Sequence, residues 1–190
     1  RLAGEPAVTD VLSVGDGDAR TVTLRRDVRA FFQGNRFLLD RLVRHVIGLV
    51  QSGAVVDLYA GVGLFGLSLA AAGAEKVTLI EGDPISGSDL KANAERFPGV
   101  TVKRRSVEDY LAGARPSNGA TFIVDPPRTG MSKEAVADMI RVRPASLVYV
   151  SCDVATLARD VRVILDAGYS LESLTAFDLF PNTAHVESVA

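Results

Sequence analysis

The first fifty residues contain two different patterns of apolar and polar side chains. Residues 7–14 and 21–26 alternate between the two classes on either side of Gly15-Asp16-Gly17-Asp18, which predicts a β-hairpin. Asn35 is a favourable helix cap, and the residues from there to about Val50 have apolar side chains at helical spacing. The predicted apolar face of this helix contains Phe37, Leu38, Leu42, Val46 and Leu49. We therefore expect a hairpin followed by a helix.

From residue 55 onward, short apolar runs alternate with helical stretches. The predicted strands are residues 55–59, 77–80, 100–103, 120–124, 147–150, 171–178 and 186–190. The predicted helices are residues 64–72, 88–96, a short helix that closes at 110–111, 133–142 and 155–167. Such alternation builds a mostly parallel sheet with helices on both faces. We predict a doubly wound, Rossmann-like α/β domain with a seven-stranded sheet over residues 35–190, preceded by a hairpin extension over residues 1–34.

The composition fits one globular domain. Of the 190 residues, 47% are hydrophobic and 23% are charged, and the formal net charge is −2. No apolar run is long enough to span a membrane, and the first residues lack the apolar core of a signal peptide. Because the chain does not begin with Met, we expect it to be a piece of a longer protein. A weakly negative chain is also untypical of a self-sufficient nucleic-acid binder.

The single cysteine, Cys152, directly follows the predicted strand 147–150 and Ser151. One cysteine cannot form an internal disulfide or build a zinc or iron–sulfur site, so no metal is expected and a reducing cytoplasm fits. The carboxyl end of a parallel strand is the sheet edge at which open α/β folds carry their chemistry. A thiol at this place is either a nucleophile or a small core residue.

The turn after the first strand of the predicted sheet, Asp57-Leu58-Tyr59-Ala60-Gly61-Val62-Gly63, has features of a nucleotide site. Its two glycines allow the backbone to approach a ligand, and a helix N-terminus follows. Glu81 ends the next strand, where a carboxylate can accept hydrogen bonds from both ribose hydroxyls. Leu64 replaces a third glycine, which disfavours a dinucleotide, and Asp57 would repel phosphate. The turn therefore favours a cationic adenosine cofactor, S-adenosylmethionine, over a plain packing turn.

The fourth predicted strand of the sheet ends in Asp125-Pro126-Pro127-Arg128. Because the two prolines have a fixed φ and no N–H, the loop leaves the sheet rigidly and holds Asp125 and Arg128 at its rim. Amino-group methyltransferases have an aromatic residue where Arg128 stands, and cytosine-C5 enzymes of RNA have Pro-Cys in this loop. The loop therefore favours neither of those reactions, and a rigid turn without chemistry is the alternative.

Five segments, in this order, resemble the RNA uracil-5-methyltransferase family. They are Phe31-Phe32-Gln33-x-Asn35, the glycine turn 57–63, Asp125-Pro126-Pro127-Arg128-x-Gly130, Ser151-Cys152-Asp153-x-Ala155-Thr156-x-Ala158-Arg159-Asp160 and Phe180-Pro181-x-Thr183-x-His185-Val186-Glu187. They cover nearly all of the chain from residue 31 onward, so the resemblance is specific. It implies a class I, S-adenosylmethionine-dependent methyltransferase that acts on C5 of a uridine in ribosomal or transfer RNA.

The resemblance also implies roles for individual residues. Cys152 matches the nucleophile of the family, and Glu187 matches its general base. Cofactor contacts are expected from Gln33, Tyr59, Gly61, Gly63, Glu81 and Asp125. Leu64 stands where the family often has a polar side chain, and Ser106 lies near a position that commonly has Asn. These two departures would weaken or reshape the cofactor site without abolishing it.

The chemistry of uracil methylation needs these residue types. C5 of uracil is a poor nucleophile until a thiolate, here that of Cys152, adds to C6 and converts the ring to an enolate. After methylation a carboxylate must remove the surplus proton from C5 so that the thiol can leave, and Glu187 is the predicted base. Asp125 or Arg128 would stabilise the charge on a uracil oxygen. His185 is expected to be a structural or rim residue.

The predicted substrate is RNA whose target uridine is in a loop or flipped out, because a thiol cannot reach C6 inside a duplex. Substrate contacts are expected from Phe32 and Arg128, although Phe31 and Phe32 could equally fill the core. Arg25-Arg26 with Arg29, and Lys103-Arg104-Arg105, are basic clusters that either bind phosphates or face solvent. Many family members carry an added N-terminal RNA-binding β-barrel, so RNA affinity could depend on sequence outside these 190 residues.

A non-catalytic module that binds S-adenosylmethionine or RNA is the main alternative. Leu64 and Ser106 favour this alternative, whereas Cys152 together with Glu187 favours an enzyme. Methylation of another pyrimidine, or of a small molecule, is a third hypothesis. The enzyme hypothesis requires that Cys152 and Glu187 meet at the rim of one pocket.

Overall fold

The computed structural model describes residues 4–15, 20–117 and 119–190. Strand β1 (Ala7–Ser13) pairs antiparallel with β2 (Thr21–Asp27), which confirms the predicted hairpin. Residues Asp16, Gly17 and Asp18 of its predicted turn lie outside the described residues. The buried side chains of the hairpin belong to the same hydrophobic core as the helices beneath it: Leu12, Val14, Val22 and Leu24. The hairpin is therefore packed onto the sheet domain rather than separate from it.

Helix α1 (Arg36–Leu49) begins at the predicted cap, where the Asn35 side chain accepts a hydrogen bond from Phe37 N at 3.1 Å. Its buried face consists of Leu39, Leu42, Val43 and Val46. The placement of Phe37 on that face was wrong, because its side chain is 89% exposed. Phe37 precedes Leu39 by two positions, which is about 200° around a helix, so it points away from the core.

The main sheet has seven strands, as predicted. They are β3 (Val55–Leu58), β4 (Val77–Glu81), β5 (Val100–Arg104), β6 (Thr121–Val124), β7 (Ser146–Ser151), β8 (Thr175–Phe177) and β9 (Glu187–Val189). Their order is β5-β4-β3-β6-β7-β9-β8; the first five are parallel, and β9 pairs antiparallel with both β7 and β8. The doubly wound prediction is confirmed. The strand expected at 171–178 is shorter, because only 175–177 pair.

The remaining helices connect these strands. They are α2 (Leu64–Ala72), α3 (Pro84–Ala94), α4 (Val107–Ala112), α5 (Lys133–Val142) and α6 (Val154–Asp166). Helix α3 begins earlier than the predicted residue 88, because Asp83 caps it by accepting from Ser86 N at 2.7 Å and Pro84 occupies its first turn. In the part of the chain that the structure describes, no helix is long and apolar enough to cross a membrane.

The sheet is buried on both faces, which explains the nearly continuous apolar runs of its strands. One hydrophobic cluster contains Ile123 of β6 and packs against the hairpin and helices α1, α2 and α3. The other contains Phe122 and Val124 of the same strand and packs against α4, α5 and α6. Because side chains alternate along β6, one strand anchors both layers and holds the loop at residue 125 in a fixed place.

Candidate active site

A cavity of about 490 Å³ lies beyond the carboxyl ends of β3, β4, β6 and β7. This is the edge at which the chain order reverses, from β3–β4 on one side to β3–β6 on the other. The predicted site residues that line it are Phe32, Gln33, Tyr59, Gly61, Glu81, Asp125, Arg128, Cys152 and Glu187. A second opening of about 550 Å³, beside the start of β7 and the end of α6, contains none of them.

Glu81 shapes the glycine turn at one end of this cavity. Its Oε2 accepts a hydrogen bond from Gly61 N at 2.7 Å, and its Oε1 accepts from Asp83 N at 2.6 Å. Gly61 has a φ of +55°, a left-handed conformation that glycine adopts without strain. Partial burial raises the pKa of Glu81, while these backbone donors oppose that shift. Each carboxylate oxygen keeps a second lone pair for a ligand.

Gly63 and Asp57 lie behind the turn and do not line the cavity. Gly63 caps α2 with a φ of +104°, and a side chain there would overlap Leu67. Asp57 is 1% exposed, and its Oδ2 accepts from Gly66 N at 2.8 Å. Burial raises the pKa of Asp57 to about 7 despite that hydrogen bond. The expectation that Asp57 faces a cationic ligand therefore differs from the structure, in which it supports the start of α2.

Gln33 and Tyr59 border the same end of the cavity. Gln33 is buried, and within the described residues its Oε1 has no hydrogen-bond partner. Tyr59 has a φ of +61°, an uncommon conformation for a residue other than glycine, and burial raises the pKa of its hydroxyl. Leu64 lines the cavity, whereas Ser106 does not and instead caps α4 by accepting from Asp109 N at 3.0 Å.

Cys152 stands between the end of β7 and the start of α6. Asp153 caps that helix by accepting from Ala155 N at 3.1 Å and Thr156 N at 2.9 Å, so the nucleophile candidate sits on a well-defined turn. The thiol is half-buried, and burial raises its pKa, as does the nearby charge of Glu187. Arg128 lines the same cavity as the thiol, and its guanidinium lowers the pKa of Cys152. Arg128 is thus the counter-charge available to a thiolate.

Glu187 is the first residue of β9, and it is 1% exposed. Within the described residues, neither carboxylate oxygen has a hydrogen-bond partner. Burial raises the pKa of Glu187 to about 7, so the carboxyl is close to half-ionised at neutral pH. Burial and the charges of Glu187 and Asp57 also raise the pKa of Asp125 well above its usual value. An unpaired buried carboxyl is costly, which marks this one as a functional candidate.

Charge around the cavity is unbalanced. Its lining contains the carboxyl groups of Glu81, Asp83, Asp125 and Glu187, whereas Arg128 is the one cationic side chain among the described residues that line it. A concave surface with an excess of acidic groups favours a cationic ligand.

Aromatic side chains border the mouth of the cavity. Phe31 is 75% exposed there, whereas Phe32 is partly buried against the core, with the Arg26 guanidinium 4.7 Å from its ring centre. Phe180 also lines the cavity, and its ring meets that of His185 edge-on at a centroid distance of 6.4 Å. His185 is outside the lining, as expected of a rim residue.

A match to a protein-family model identifies the family of this chain. The model described as tRNA (uracil-5-)-methyltransferase matches residues 91–190, more than half of the chain. The chain belongs to this family. The matched region of the tRNA (uracil-5-)-methyltransferase family includes the loop 125–128, Cys152 and Glu187, all of which line the cavity.

Curated relatives and solved structures agree with membership of this family. An uncharacterized RNA methyltransferase of Thermotoga maritima is 35% identical over 164 residues, covering 84% of this chain and 37% of the relative. A Listeria innocua RNA methyltransferase, also uncharacterized, is 38% identical, covering 99% and 41%. The Pyrococcus abyssi tRNA (uracil-54, C5)-methyltransferase, solved with S-adenosyl-L-homocysteine, has a TM-score of 0.83 and 31% identity, covering 100% of this chain and 45% of that one. The chain thus spans about two fifths of the length of these curated relatives.

Asp83 is an acidic residue of the site that the sequence interpretation did not include. Asp83 lines the cavity two positions after Glu81 and caps α3. The sequence signal for Asp83 was the segment Glu81-x-Asp83-Pro84. Two positions after an acidic strand end, it contains a helix-capping Asp followed by a first-turn proline.

Proposed function

We propose that this chain is the catalytic part of an S-adenosylmethionine-dependent methyltransferase that methylates C5 of a uridine in RNA through a covalent adduct with Cys152. The observation that supports this most strongly is the meeting of Cys152, Arg128 and Glu187 at one cavity, from three separate strand ends. A nucleophile, a cation and a base with a pKa near neutrality are the groups that the reaction needs.

The cofactor end of the cavity fits S-adenosylmethionine. The Glu81 carboxylate has lone pairs left for ribose hydroxyls, and the buried Gln33 Oε1 lacks a partner within the described chain. The carboxyl groups of Glu81 and Asp83 at this end of the cavity complement the positive charges of the ammonium and sulfonium groups. The bound cofactor would supply an electrophilic methyl group.

Cys152 would act first. Its thiolate, stabilised by the Arg128 guanidinium beside it, forms a bond to C6 of uracil. The electrons of the C5–C6 double bond then move toward the C4 carbonyl oxygen and give an enolate. Arg128, or Asp125 in its protonated form, would stabilise that oxygen. The Arg128 guanidinium would thus stabilise the thiolate before the attack and the uracil oxygen after it.

Glu187 would act last. Once C5 carries the methyl group, the Glu187 carboxylate removes the remaining C5 proton, the double bond forms again, and the bond between C6 and sulfur breaks. A carboxylate of ordinary pKa is a weak base at pH 7, but burial raises the pKa of Glu187 to about 7. Since no protein donor engages its oxygens in the described chain, the group is free to face the ring.

RNA phosphates would be held by cations outside the cavity. Arg26 and Arg29 are paired with Asp10 and Asp27 at 2.9 Å each, so the first basic cluster is largely neutralised. In the second cluster Arg104 approaches the Pro84 carbonyl oxygen at 3.3 Å. Its neighbours instead line a cleft of about 280 Å³ together with a third cation; the three are Lys103, Arg105 and Arg115. These three are the better candidates for phosphate contacts.

Transfer RNA is the first substrate to test, because both the family description and the Pyrococcus protein name it. The protein is incubated with methyl-labelled S-adenosylmethionine and unmodified tRNA or rRNA, and the nucleosides are then separated. We expect label in 5-methyluridine with the wild-type protein and none with Cys152→Ala. Cofactor binding without transfer to any RNA would instead support a binding module, and label in another nucleoside would contradict uridine specificity.

A further inference from the structure

We propose that Thr156, Arg159 and Asp160, on one face of α6, are positioning residues that hold the loop 128–131 in place and thereby keep Arg128 beside Cys152. This inference rests on the proposed function for its catalytic meaning. The placement of the Arg128 guanidinium near the Cys152 thiol does not depend on which substrate is methylated.

The three side chains bond the backbone of the loop at four points. Thr156 Oγ1 donates to the Arg128 carbonyl oxygen at 3.1 Å. Arg159 Nη2 donates to the carbonyl oxygens of Thr129 and Met131, both at 3.0 Å. Asp160 Oδ2 accepts from Met131 N at 2.9 Å. One turn of helix thus fixes both ends of a four-residue loop.

Asp160 is the centre of this network. It is 2% exposed, and its Oδ2 also accepts from the Tyr149 hydroxyl at 2.7 Å, while its Oδ1 accepts from Arg159 Nε at 2.8 Å. A buried carboxylate is a poor choice for stability alone, because an apolar residue of similar volume packs without a desolvation penalty. The hydrogen bonds of Asp160 instead fix the orientation of the loop and of Arg159, because both of its oxygens accept from specific donors.

Gly130 shows that the loop and the network fit closely. It has a φ of +73°, and a Cβ atom there would lie 2.5 Å from Arg159 Nη2 and 2.7 Å from Asp160 Oδ2. Both the conformation and the space therefore exclude other residues unless the network moves. The resemblance assigned no role to this glycine, or to the Arg159-Asp160 pair.

The position of the helix gives the network its effect on the thiol. Helix α6 begins two residues after Cys152, so the thiol precedes its start and the loop-holding residues lie in its first two turns. The Arg128 guanidinium is the group that counters the effects of burial and of Glu187 on the thiol. Displacing the loop would remove that counter-charge without altering Cys152 itself.

The test uses the chain's single cysteine as its own probe. The rate of iodoacetamide alkylation of Cys152 is measured against pH by mass spectrometry, in the absence of RNA and cofactor, for wild type, Arg159→Ala and Arg128→Ala. The matched control is Arg162→Ala, on the same helix, whose side chain pairs with the exposed Asp166 at 3.1 Å. Melting temperatures are recorded in parallel.

We expect Arg128→Ala and Arg159→Ala to raise the pH midpoint of alkylation and to lower the rate at pH 7.5 by about three- to tenfold, because only the thiolate reacts. Arg162→Ala should alkylate at the wild-type rate. Because the Arg159 side chain is partly exposed, we expect Arg159→Ala to fold. A second variant, Gly130→Ala, should shift the pH midpoint in the same direction when its circular-dichroism spectrum matches that of the wild type.

The proposal is overturned if Arg159→Ala lowers the melting temperature but leaves the alkylation midpoint at its wild-type value, since the network would then be structural only. It is also overturned if Arg128→Ala leaves the midpoint unchanged. Neither outcome bears on uridine methylation, which is measured separately with RNA. A shifted midpoint in a protein that methylates no uridine would support the positioning role and reject the proposed substrate.

Discussion

The two halves of the cavity treat their acidic residues differently. In the glycine-turn half, the Glu81 carboxylate accepts from Gly61 N and Asp83 N, and behind this turn Asp57 accepts from Gly66 N. In the half formed by β6, β7 and β9, neither oxygen of Glu187 has such a partner within the described chain. Glu81 and Asp57 thus shape the backbone, whereas Glu187 keeps both oxygens unengaged by the described residues.

This difference shows how one sheet edge can serve two purposes. Burial raises the pKa of both Asp57 and Glu187 to about 7, so basicity does not separate them. They differ in access: Asp57 Oδ2 accepts from Gly66 N behind the turn, whereas Glu187 lines the cavity with both oxygens unpaired within the described residues. Variants in each half should therefore fail in different ways.

The largest effect is expected for Cys152→Ala. Removing the thiol would remove the proposed covalent step, so methyl transfer should fall by at least about 1,000-fold. The other half of the cavity is untouched, and cofactor affinity measured by calorimetry should therefore stay within about twofold of wild type. Equal loss of cofactor binding would mean that the two halves are not separate in function.

Glu187→Gln should reveal the cost of the unpaired carboxyl. Because folding raises the pKa of Glu187 from 4.5 to about 7, the wild-type protein loses stability as the pH rises between these values and then levels off. Gln carries no charge, so the variant should be more stable than wild type by roughly 3 kcal/mol at pH 8 and equal to it near pH 4.

Urea unfolding at pH 4, 6 and 8 measures the difference, with Glu172→Gln at an exposed position as the control. A constant offset across this range would contradict the raised pKa. The same Glu187→Gln variant should retain RNA as a covalent adduct on a denaturing gel, because in the proposed mechanism C5 methylation precedes proton removal.

Gly66→Ala should disturb the other half through packing. A Cβ atom there would overlap the end of the Leu79 side chain and lie 2.9 Å from Asp57 Oδ2. We expect a loss of about 1–3 kcal/mol in the free energy of unfolding, together with weaker cofactor binding. Gly48→Ala in α1, where a Cβ meets nothing within 4 Å, is the matched control and should be neutral or slightly stabilising.

The smallest effects are expected from the two aspartate helix caps, one in each half. Asp83 caps α3 and Asp153 caps α6, and Ala at either position should lower the melting temperature by a few degrees. Their effects on activity should differ, because Asp153→Ala loosens the turn that carries Cys152, whereas Asp83→Ala should mainly raise the KM for the cofactor. If both variants changed kcat and KM by the same factors, the division of the cavity into two functional halves would be contradicted.

The strand ends were predictable from the sequence because parallel strands bring their carboxyl ends to one edge. From that rule alone, we expected Glu81, Asp125 and Cys152 to lie near each other. The elements that were misjudged lacked a strong local signal. Phe37 is apolar and near helical spacing, but only tertiary packing decides which side of α1 faces the core.

Other features depended on contacts that no local pattern records. Asp57 looked like a ligand for a cation because an acid next to glycines has that meaning in many turns, yet its side chain points toward Gly66 N. The insertion of β9 between β7 and β8 follows from pairing between distant segments. The bonds from Arg159 to the loop 128–131 likewise cross from α6 to a segment about thirty residues earlier.

The place of β9 has a consequence for the proposed reaction. Glu187 belongs to an antiparallel strand that enters between two others and starts at the cavity. In the proposed mechanism, release of a captured nucleotide needs the carboxylate that this strand brings to the cavity. We therefore expect the proposed turnover to require a completed sheet.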